Sequence, residues 1–329
     1  MNALERQWQQ RGVGSLLLLP LAAAFGVVSA ARRAGYRHGL LRSVRLPVPV
    51  IVIGNIAVGG TGKTPLVLWL CDALTRLGHS PGIITRGYRG SATQPSAVPP
   101  DGDAAHYGDE AVLLAQRSGC PVWVGRRRAA AGHALLAAHP ECDIVISDDG
   151  LQHYALARDF EIAVVDGARQ HGNGRLLPAG PLREPVSRLA TVDAVVVNGA
   201  APANDAKRPH YRMDLLGDQL VRLREPAHHM PVSALRGRPV HAVAGIGNPA
   251  RFFEHLERLG LDVVPHPFPD HHAYTVEDFA FIDGAPVVMT EKDAVKCAAH
   301  AGDDWWVLPV AARVDAGLVP QLLRTLENR

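Results

Sequence analysis

The sequence has little of what nucleic-acid-binding or disulfide-stabilised proteins need. Aromatic residues make up only 5% of the 329 residues, and the formal net charge is only +2. With so little excess charge and so few rings to stack on bases, the chain is not expected to bind nucleic acid. Its cysteines form no C-x-x-C pair and no zinc-finger spacing, so free thiols in a reducing compartment are expected. They are Cys71, Cys120, Cys142 and Cys297.

Apolar residues, by contrast, are plentiful. They make up 47% of the chain, which is enough for a sizeable core in one large domain or two medium ones. Short apolar runs without alternation predict strands buried on both faces, and helical patterns such as residues 66–77 lie between them. This order predicts an α/β fold with a doubly wound parallel sheet. The predicted strands of this part are residues 50–53, 82–85, 122–124, 144–146, 162–165 and 194–197.

A change of pattern suggests a division of the chain. Residues 211–224 alternate more and carry Gly217 and Asp218 near their middle, which predicts a hairpin and a domain boundary. A second, smaller α/β unit follows, with predicted strands and a helix of its own. We therefore expect an amino-terminal segment, a nucleotide-binding domain and a smaller domain. Their predicted bounds are residues 1–45, 46–224 and 225–329.

The amino-terminal segment carries an uncharged stretch. Residues 13–31 contain no charged side chain, with Arg11 before them and five arginines between residues 32 and 45. The length reaches that of a membrane span, but the hydrophobicity is modest, which favours a helix lying in the membrane interface or inserted shallowly. Two alternatives are a buried core helix and a signal peptide ending near Ala30.

The strongest motif is a glycine-rich loop between a predicted strand and a predicted helix. In this context the glycines let backbone N–H groups surround phosphate oxygens, Lys63 reaches the β- and γ-phosphates, and the Thr64 hydroxyl is suited to magnesium. ATP and Mg²⁺ are therefore the expected ligands. The predicted loop consists of Ala57, Val58, Gly59, Gly60, Thr61, Gly62, Lys63 and Thr64.

The loop departs from the strict pattern at its first position. Ala57 stands where the pattern has glycine, and alanine tolerates a strand-like backbone but not every left-handed turn. Val58 occupies the place of an additional lysine found in one ATPase subclass, which disfavours a dimeric partitioning or delivery ATPase.

Acidic side chains follow several predicted strands. Asp148 and Asp149 end the apolar run at residues 143–147, and the carboxyl ends of parallel strands face the ligand crevice, so both are predicted magnesium ligands. Asp166 is a weaker candidate of the same kind. Asp109, ahead of a predicted helix at residues 111–117, suits either a helix-terminal charge or a general base.

Taken in order, these and several further motifs resemble the tetraacyldisaccharide 4'-kinase family, the lipid A 4'-kinases of Gram-negative bacteria. The resemblance covers nearly the whole chain. Its motifs are G-N-I-A-V-G-G-T-G-K-T-P at 54–65, T-R-G-Y at 85–88, G-D-E at 108–110, D-D-G-L-Q-H at 148–153, G-N-G-R-L-L-P-A-G-P-L-R-E-P at 172–185, A-G-I-G-N-P at 244–249, F-P-D-H-H at 268–272 and T-E-K-D at 290–293.

The resemblance implies transfer of the ATP γ-phosphoryl group to the 4'-hydroxyl of a tetraacylated glucosamine disaccharide 1-phosphate. It also implies two α/β domains flanking the active site and an amino-terminal helix at the cytoplasmic face of the inner membrane. The family's catalytic aspartate falls on Asp109 and its partner histidine on His271. No obligate protein partner is expected.

Acceptor binding is assigned to four residues within these motifs. Arg86 and Tyr88 follow a predicted strand end that faces the crevice. Gln152 and Glu184 lie in the motifs at residues 148–153 and 172–185. The run Arg126–Arg128 suits either contact with the acceptor phosphate or anionic headgroups, or a solvated helix face.

Three other functions remain as alternatives. A P-loop GTPase or metallochaperone would need an N-K-x-D motif, or clustered cysteine and histidine, and neither is evident. A dinucleotide enzyme would use Gly245, Gly247 and Ala250, but no acidic residue follows at the required distance. A non-enzymatic membrane scaffold leaves the phosphate loop without a use.

Overall fold

The computed structural model describes residue 8 and residues 12–199 and 210–328. The helices in this part of the chain are α1 (Val13–Leu17), α2 (Leu19–Arg37), α3 (Lys63–Arg76), α4 (Ala104–Tyr107), α5 (Asp109–Arg117), α6 (Arg128–Ala138), α7 (Pro249–Arg258), α8 (Glu291–Cys297) and α9 (Leu318–Glu327), with 3₁₀ turns at Val186–Thr191, Val232–Leu235, Val276–Phe279 and Ala298–His300.

The strands fall into two sheets. Those of the first are β1 (Val50–Gly54), β2 (Pro81–Thr85), β3 (Ser96–Ala97), β4 (Val122–Val124), β5 (Ile144–Asp148), β6 (Phe160–Asp166), β7 (Ala194–Asn198), β8 (His210–Leu216) and β15 (Ala311–Val314). Those of the second are β9 (Gln219–Arg222), β10 (His229–Pro231), β11 (Pro239–Ala244), β12 (Asp262–Pro267), β13 (Val287–Thr290) and β14 (Trp305–Leu308).

The first sheet is parallel except at its two edges. Its strand order is β15-β8-β7-β6-β1-β5-β2-β4-β3, and only the edge strands β15 and β3 pair antiparallel. β1 is buried along its whole length, with Ile51 and Ile53 in one core and Val50 and Val52 in the other. Such two-sided burial requires a run of β-branched residues without alternation, and the predicted parallel sheet is confirmed.

The strand order places a ligand crevice beside β1. The chain runs from β1 to β2, β4 and β5 on one side of the sheet and then crosses to β6, β7 and β8 on the other. At this reversal the connections leave in opposite directions, and the strand ends around it enclose a crevice. Register pairs Ile53 with Asp148 and Asp166 with Asn198, so the phosphate loop after β1 and both acidic strand ends meet there.

The second sheet has the order β10-β9-β14-β13-β11-β12. β14, β13, β11 and β12 are parallel, whereas β9 and β10 are antiparallel. Phe252, Phe253 and Leu256 of the amphipathic helix α7 fill one face of this sheet. The predicted second α/β unit is thus present, with β10 and β12 as strands that the sequence did not indicate.

The predicted hairpin at residues 211–224 is wrong. β8 pairs with β7 and β15, whereas β9 pairs with β10 and β14, so the chain changes sheet at Gly217–Asp218. Alternation reports that one face of a strand is exposed but not which strand lies beside it. β15 and α9 return to the first sheet, where α9 packs on α3 and β6. The sheets therefore divide the chain differently from the predicted boundary after residue 224.

The amino-terminal helices lie against the loop that follows β6. The Ser15 hydroxyl donates to the Ala179 carbonyl, and Gly26 approaches Leu176 so closely that an added Cβ would lie 2.8 Å from its side chain. Other apolar side chains face solvent, among them Val27 and Val28, which are 69% and 67% exposed. Among the described residues, no helix has both the length and the apolarity needed to cross a bilayer.

Candidate active site

The phosphate loop has the backbone that its glycines allow. Gly59 and Gly62 have φ near +96° and +95°, in the left-handed region, and Gly62 directly precedes the first residue of α3. Ala57 instead forms an extended bridge with Leu182, and the N–H of Val58 donates to Pro181. Alanine is therefore compatible with the loop entry, because the left-handed turns fall on later positions.

The rest of the loop contacts groups that flank the crevice. Thr61 is buried; its hydroxyl lies 3.3 Å from the Asn55 amide and its carbonyl accepts from the Asn198 amide. The guanidinium of Arg169 contacts the Gly60 carbonyl. It also donates, at 3.1 Å, to the carbonyl of Gly247, which lies between β11 and α7 of the second sheet's unit. Arg169 is one of several residues here that the sequence motifs did not reveal.

Lys63 lies beside one of the two predicted metal ligands. Its Nζ is 3.5 Å from Asp149 Oδ1, and Arg183 approaches the same carboxylate at 3.2 Å. Burial opposes ionisation of Asp149, but the charges of Lys63 and Arg183 outweigh it and hold the pKa of Asp149 well below its usual range. Asp149 therefore remains a carboxylate and is already tied to the phosphate-binding lysine.

Asp148 differs from Asp149 in its burial and in the direction of its pKa shift. It is 1% exposed, and burial, reinforced by the charge of Glu110, raises its pKa to about 7. Its Oδ2 accepts from Thr85 at 3.4 Å, while Oδ1 is buried without a hydrogen-bond partner in the described part of the chain. A buried carboxylate oxygen with spare lone pairs at a phosphate loop suits a hard cation, so Asp148, with the buried Thr64 hydroxyl, fits Mg²⁺.

The arginine run at residues 126–128 is not uniformly exposed. Arg126 and Arg127 face solvent, but Arg128 begins α6, is 3% exposed and donates to the carbonyls of Asp148 and Asp149. Burial lowers the pKa of Arg128 to about 10, so it stays charged. Of the two alternatives for this run, a solvated helix face does not apply to Arg128, whose side chain is buried against the carbonyls at the β5 end.

The structure brings the predicted catalytic pair together from two sheets. Asp109 is the first residue of α5, His271 follows β12, and His271 Nδ1 lies 2.8 Å from Asp109 Oδ2. Burial opposes ionisation of Asp109, but the hydrogen bond and charge of His271 outweigh it, so the pKa of Asp109 is lowered. Burial likewise disfavours the imidazolium, yet the hydrogen bond and charge of Asp109 raise the pKa of His271.

Two of the predicted acceptor residues lie near this pair. The Tyr88 ring is 52% exposed and meets the His271 ring edge-on, with centroids 5.2 Å apart. Arg86 is exposed at the end of β2, where its charge contributes to lowering the pKa values of Arg128 and His153. Both side chains thus lie on the crevice side of the first sheet, as their position after β2 predicts.

The other two predicted acceptor residues form one network. Glu184 is 3% exposed and accepts from Gln152 at 2.9 Å and from the Tyr154 hydroxyl at 2.5 Å. Arg33 of α2 approaches the same carboxylate at 3.1 Å and Arg188 at 3.4 Å. The structure therefore joins the amino-terminal helix directly to this part of the crevice, which the motifs did not indicate.

Asp166 does not resemble Asp148. Its carboxylate accepts from the backbone of Ala168 and from Arg169 Nε at 3.1 Å, and Arg251 lies 3.9 Å away. Arg251 also donates to Asn198, whose amide holds the Thr61 carbonyl. Asp166 is thus already engaged in organising the far side of the phosphate loop, and nothing in its contacts favours a metal.

Similarity to known proteins extends over this whole arrangement. The family described as LpxK, tetraacyldisaccharide-1-P 4'-kinase, matches residues 14–327. A tetraacyldisaccharide 4'-kinase of Methylobacillus flagellatus is 53% identical over 98% of this chain and 95% of its own length. One from Azoarcus sp. is 54% identical over 98% of this chain and 94% of its own.

A solved structure agrees with these matches. LpxK from Aquifex aeolicus, crystallised with ATP, superimposes with a TM-score of 0.81 at 28% identity, covering 95% of this chain and 99% of the other. The chain therefore belongs to the tetraacyldisaccharide-1-P 4'-kinase family.

Proposed function

We propose that this protein is an ATP-dependent kinase that phosphorylates the 4'-hydroxyl of a tetraacylated glucosamine disaccharide 1-phosphate, a lipid A precursor. The observation that carries the proposal is the contact between Asp109 and His271 at the mouth of a phosphate loop. Glu110, next to Asp109, lies close enough to Lys63 for that charge to lower the pKa of Glu110. A proton-accepting pair and the phosphate-binding lysine thus face one crevice.

The pair supplies what a sugar hydroxyl lacks. A hydroxyl is a poor nucleophile, and its proton must be accepted as the bond to phosphorus forms. The Asp109 carboxylate, oriented and charge-balanced by His271, is suited to take that proton, and such general-base catalysis contributes about 10²–10⁴-fold. Lys63 and the loop N–H groups would hold the transferring phosphoryl group in line, which supplies the positioning that phosphoryl transfer depends on.

Magnesium fits the same crevice. Asp148 and Thr64 would hold it, with Asp149 beside Asp148 kept ionised by Lys63. When bound, the ion would neutralise charge on the phosphates. Arg128 donates hydrogen bonds to the two backbone carbonyls of this acidic turn. These bonds limit the movement of both carboxylates beside the phosphate loop.

Acceptor binding and membrane contact are assigned to two further sets of residues. Arg86, Tyr88, Gln152 and Glu184 are proposed to contact the disaccharide. Helices α1 and α2, with exposed valines and flanking arginines, are proposed to lie in the cytoplasmic leaflet of the inner membrane, without crossing it, so that the acylated substrate is reached from the membrane surface.

Transfer of label from ATP tests the activity. Purified protein is incubated with γ-labelled ATP, Mg²⁺ and the disaccharide 1-phosphate in detergent or in vesicles. We expect a labelled bisphosphorylated lipid whose new phosphate is on the 4' position, located by mass spectrometry of fragments. ATP turnover without labelled lipid, or label on another hydroxyl, would contradict the proposal; GTP turnover without a lipid acceptor would favour the GTPase alternative.

A separate measurement tests the membrane assignment. Flotation with vesicles that contain anionic lipid is compared for the full chain and for a variant in which Val13, Leu16 and Leu17, all exposed on α1, are changed to serine. The proposal expects the variant to lose vesicle binding while nucleotide binding is kept. Unchanged flotation would place the membrane contact elsewhere.

A further inference from the structure

The T-E-K-D stretch at residues 290–293 has no role in the site as described so far. It begins at the last residue of β13 and forms the amino-terminal turn of α8, with the Thr290 side chain accepting from the N–H of Asp293. The next three side chains, Glu291, Lys292 and Asp293, are all charged. Each contacts either the helix that carries Asp109 or the segment that holds the His271 loop.

Two of these side chains reach the helix that carries Asp109. Lys292 Nζ contacts the Glu110 carboxylate, and Glu291 contacts the guanidinium of Arg117. Glu110 and Arg117 are seven residues apart in α5, which is about two turns, so they lie on one face of it. Burial opposes the charge of Lys292, but Glu110 and Asp109 outweigh it and raise its pKa.

The third side chain holds the loop that carries the histidine. Asp293 is fully buried and accepts from the Gly245 N–H at 3.0 Å and from the Tyr274 hydroxyl at 2.9 Å. The Gly245 carbonyl in turn accepts from the N–H of His271 at 3.2 Å. His271 has φ near +59°, which is unusual for a residue with a side chain and needs such support.

We propose that Glu291 and Lys292 are positioning residues, which dock the second sheet's unit on α5 so that His271 meets Asp109; this rests on the proposed function. Two ion pairs at separate points on one helix face fix both its distance and its rotation. Through its hydrogen bond from Gly245, Asp293 fixes the position of the His271 loop relative to these two ion pairs. Because a misplacement of about 1 Å at a reacting group can cost about 10²-fold in rate, such docking bears directly on turnover.

The Arg117–Glu291 pair is the clean place to test this. It lies two turns from Asp109, whereas Glu110 and Lys292 adjoin the reacting groups. We expect Arg117→Ala and Glu291→Ala each to lower kcat about tenfold with little change in KM for ATP. The double variant should lose little more than Glu291→Ala alone, because the Arg117–Glu291 contact is already absent in each single variant. Arg117→Lys, which keeps the charge, should retain most of the rate.

A charge swap provides a second measurement on the same pair. Arg117→Glu should be strongly impaired, and adding Glu291→Arg should recover part of the loss. Recovery will be partial, because Glu291 also accepts from the Val310 N–H at 3.0 Å. The matched control is Arg224→Glu, which breaks an ion pair of 2.9 Å with Asp303 on the surface, 57% and 94% exposed, and should leave kcat unchanged.

The outcomes separate the inference from the proposed function. If the wild type makes the labelled lipid and the Arg117 and Glu291 losses multiply, or are absent, the docking role is overturned and the kinase assignment stands. If the wild type makes no labelled lipid, the proposed function fails. Hydrogen exchange of the α5 amides then tests the docking role without reference to activity. Faster exchange in Arg117→Ala than in Arg224→Glu supports docking, and equal exchange in the two variants overturns it.

Discussion

Single residues around the β5 end show how a buried acidic turn is held in place. Asp149 has φ near +46°, a left-handed conformation that costs free energy in a residue with a side chain. Arg128 holds the two carbonyls of the turn, while Lys63 and Arg183 hold the Asp149 carboxylate. Three cations thus stabilise one strained turn: Lys63 and Arg183 lie within sequence motifs, whereas Arg128 lies in the arginine run at residues 126–128.

The role of Lys63 is tested by truncation. Lys63→Ala removes the charge that would balance the transferring phosphoryl group, so we expect turnover to fall by at least about 10²-fold. Asp149 keeps its contact with Arg183, so the thermal midpoint should change little. The measurement is lipid phosphorylation beside a thermal melt; near-normal turnover of a folded variant would remove the phosphate-loop assignment.

Among the elements, α2 links the proposed membrane surface to the crevice. Besides Arg33 on Glu184, its Arg32 donates to the Gln152 carbonyl at 3.2 Å, and the rings of Tyr36 and Tyr154 lie 6.1 Å apart. The carboxyl-terminal half of α2 therefore packs on the D-D-G-L-Q-H loop. A shift of α2 would therefore also move Gln152 and Glu184, two of the residues proposed to contact the acceptor.

Removing one of these links should loosen the helix. Arg33→Ala deletes a hydrogen bond between charged groups, worth about 1.5 kcal/mol or more, which corresponds to about tenfold faster local opening. We expect amide exchange in α2 to accelerate by about that factor and KM for the acceptor to rise. Arg37→Ala removes an exposed arginine one turn further along α2; it is the matched control and should leave the amide exchange unchanged. Equal exchange in both variants would show that α2 is held by other contacts.

Elements also mark where sequence patterns stop being informative. Runs such as β1 and β5 were predicted because a strand buried on both faces needs apolar residues at every position. The partners of β8 and β9 were not, because two neighbouring alternating segments look alike whether they pair with each other or enter different sheets. β15 joins β8 from nearly a hundred residues away, and no local pattern records that return.

At the scale of the whole molecule, the site lies where the units formed by the two sheets contact each other. His271 and Lys292 come from one unit, and Asp109 and Glu110 from the other. Gly247 approaches the phosphate loop so closely that an added Cβ would lie 2.4 Å from the Gly60 nitrogen. Closure of this kind would exclude water that otherwise hydrolyses ATP.

This closed contact should depend on pH. His271 has a pKa raised above 6.5, so its contribution is fully present below pH 6.5 and is lost as pH rises through the folded-state pKa. Asp109 has a pKa lowered below 3.8, so its contribution is present above pH 3.8 and is lost as pH falls through its folded-state pKa. The contact is therefore strongest between about pH 3.8 and 6.5.

Thermal melts give the test of this dependence. The difference in thermal midpoint between the wild type and His271→Ala should be largest near pH 6 and should shrink above the raised pKa of His271. A difference that is constant from pH 6 to pH 9 would mean that the histidine contributes by packing and not by charge.

The sequence predicted the phosphate loop and the acidic strand end better than the contacts that join the two sheets around them. The phosphate loop and the acidic strand end were legible from spacing, because glycine conformation and strand position are local. Asp109 and His271 were paired only through family resemblance. The ion pairs of Arg117, Glu110 and Arg33 join residues more than a hundred positions apart, and their geometry exists only once both sheets have formed.

Asp109 and His271 are proposed to act as one proton-accepting unit in phosphoryl transfer, and a double-mutant cycle distinguishes this from two independent roles. Asp109→Ala and His271→Ala should each lower kcat by about 10²–10⁴-fold, with ATP affinity much less affected, because neither side chain lies on the phosphate loop. The double variant should lose little more than either single one. Losses that multiply independently, or an unchanged kcat in His271→Ala, would show that the two side chains do not act as one unit.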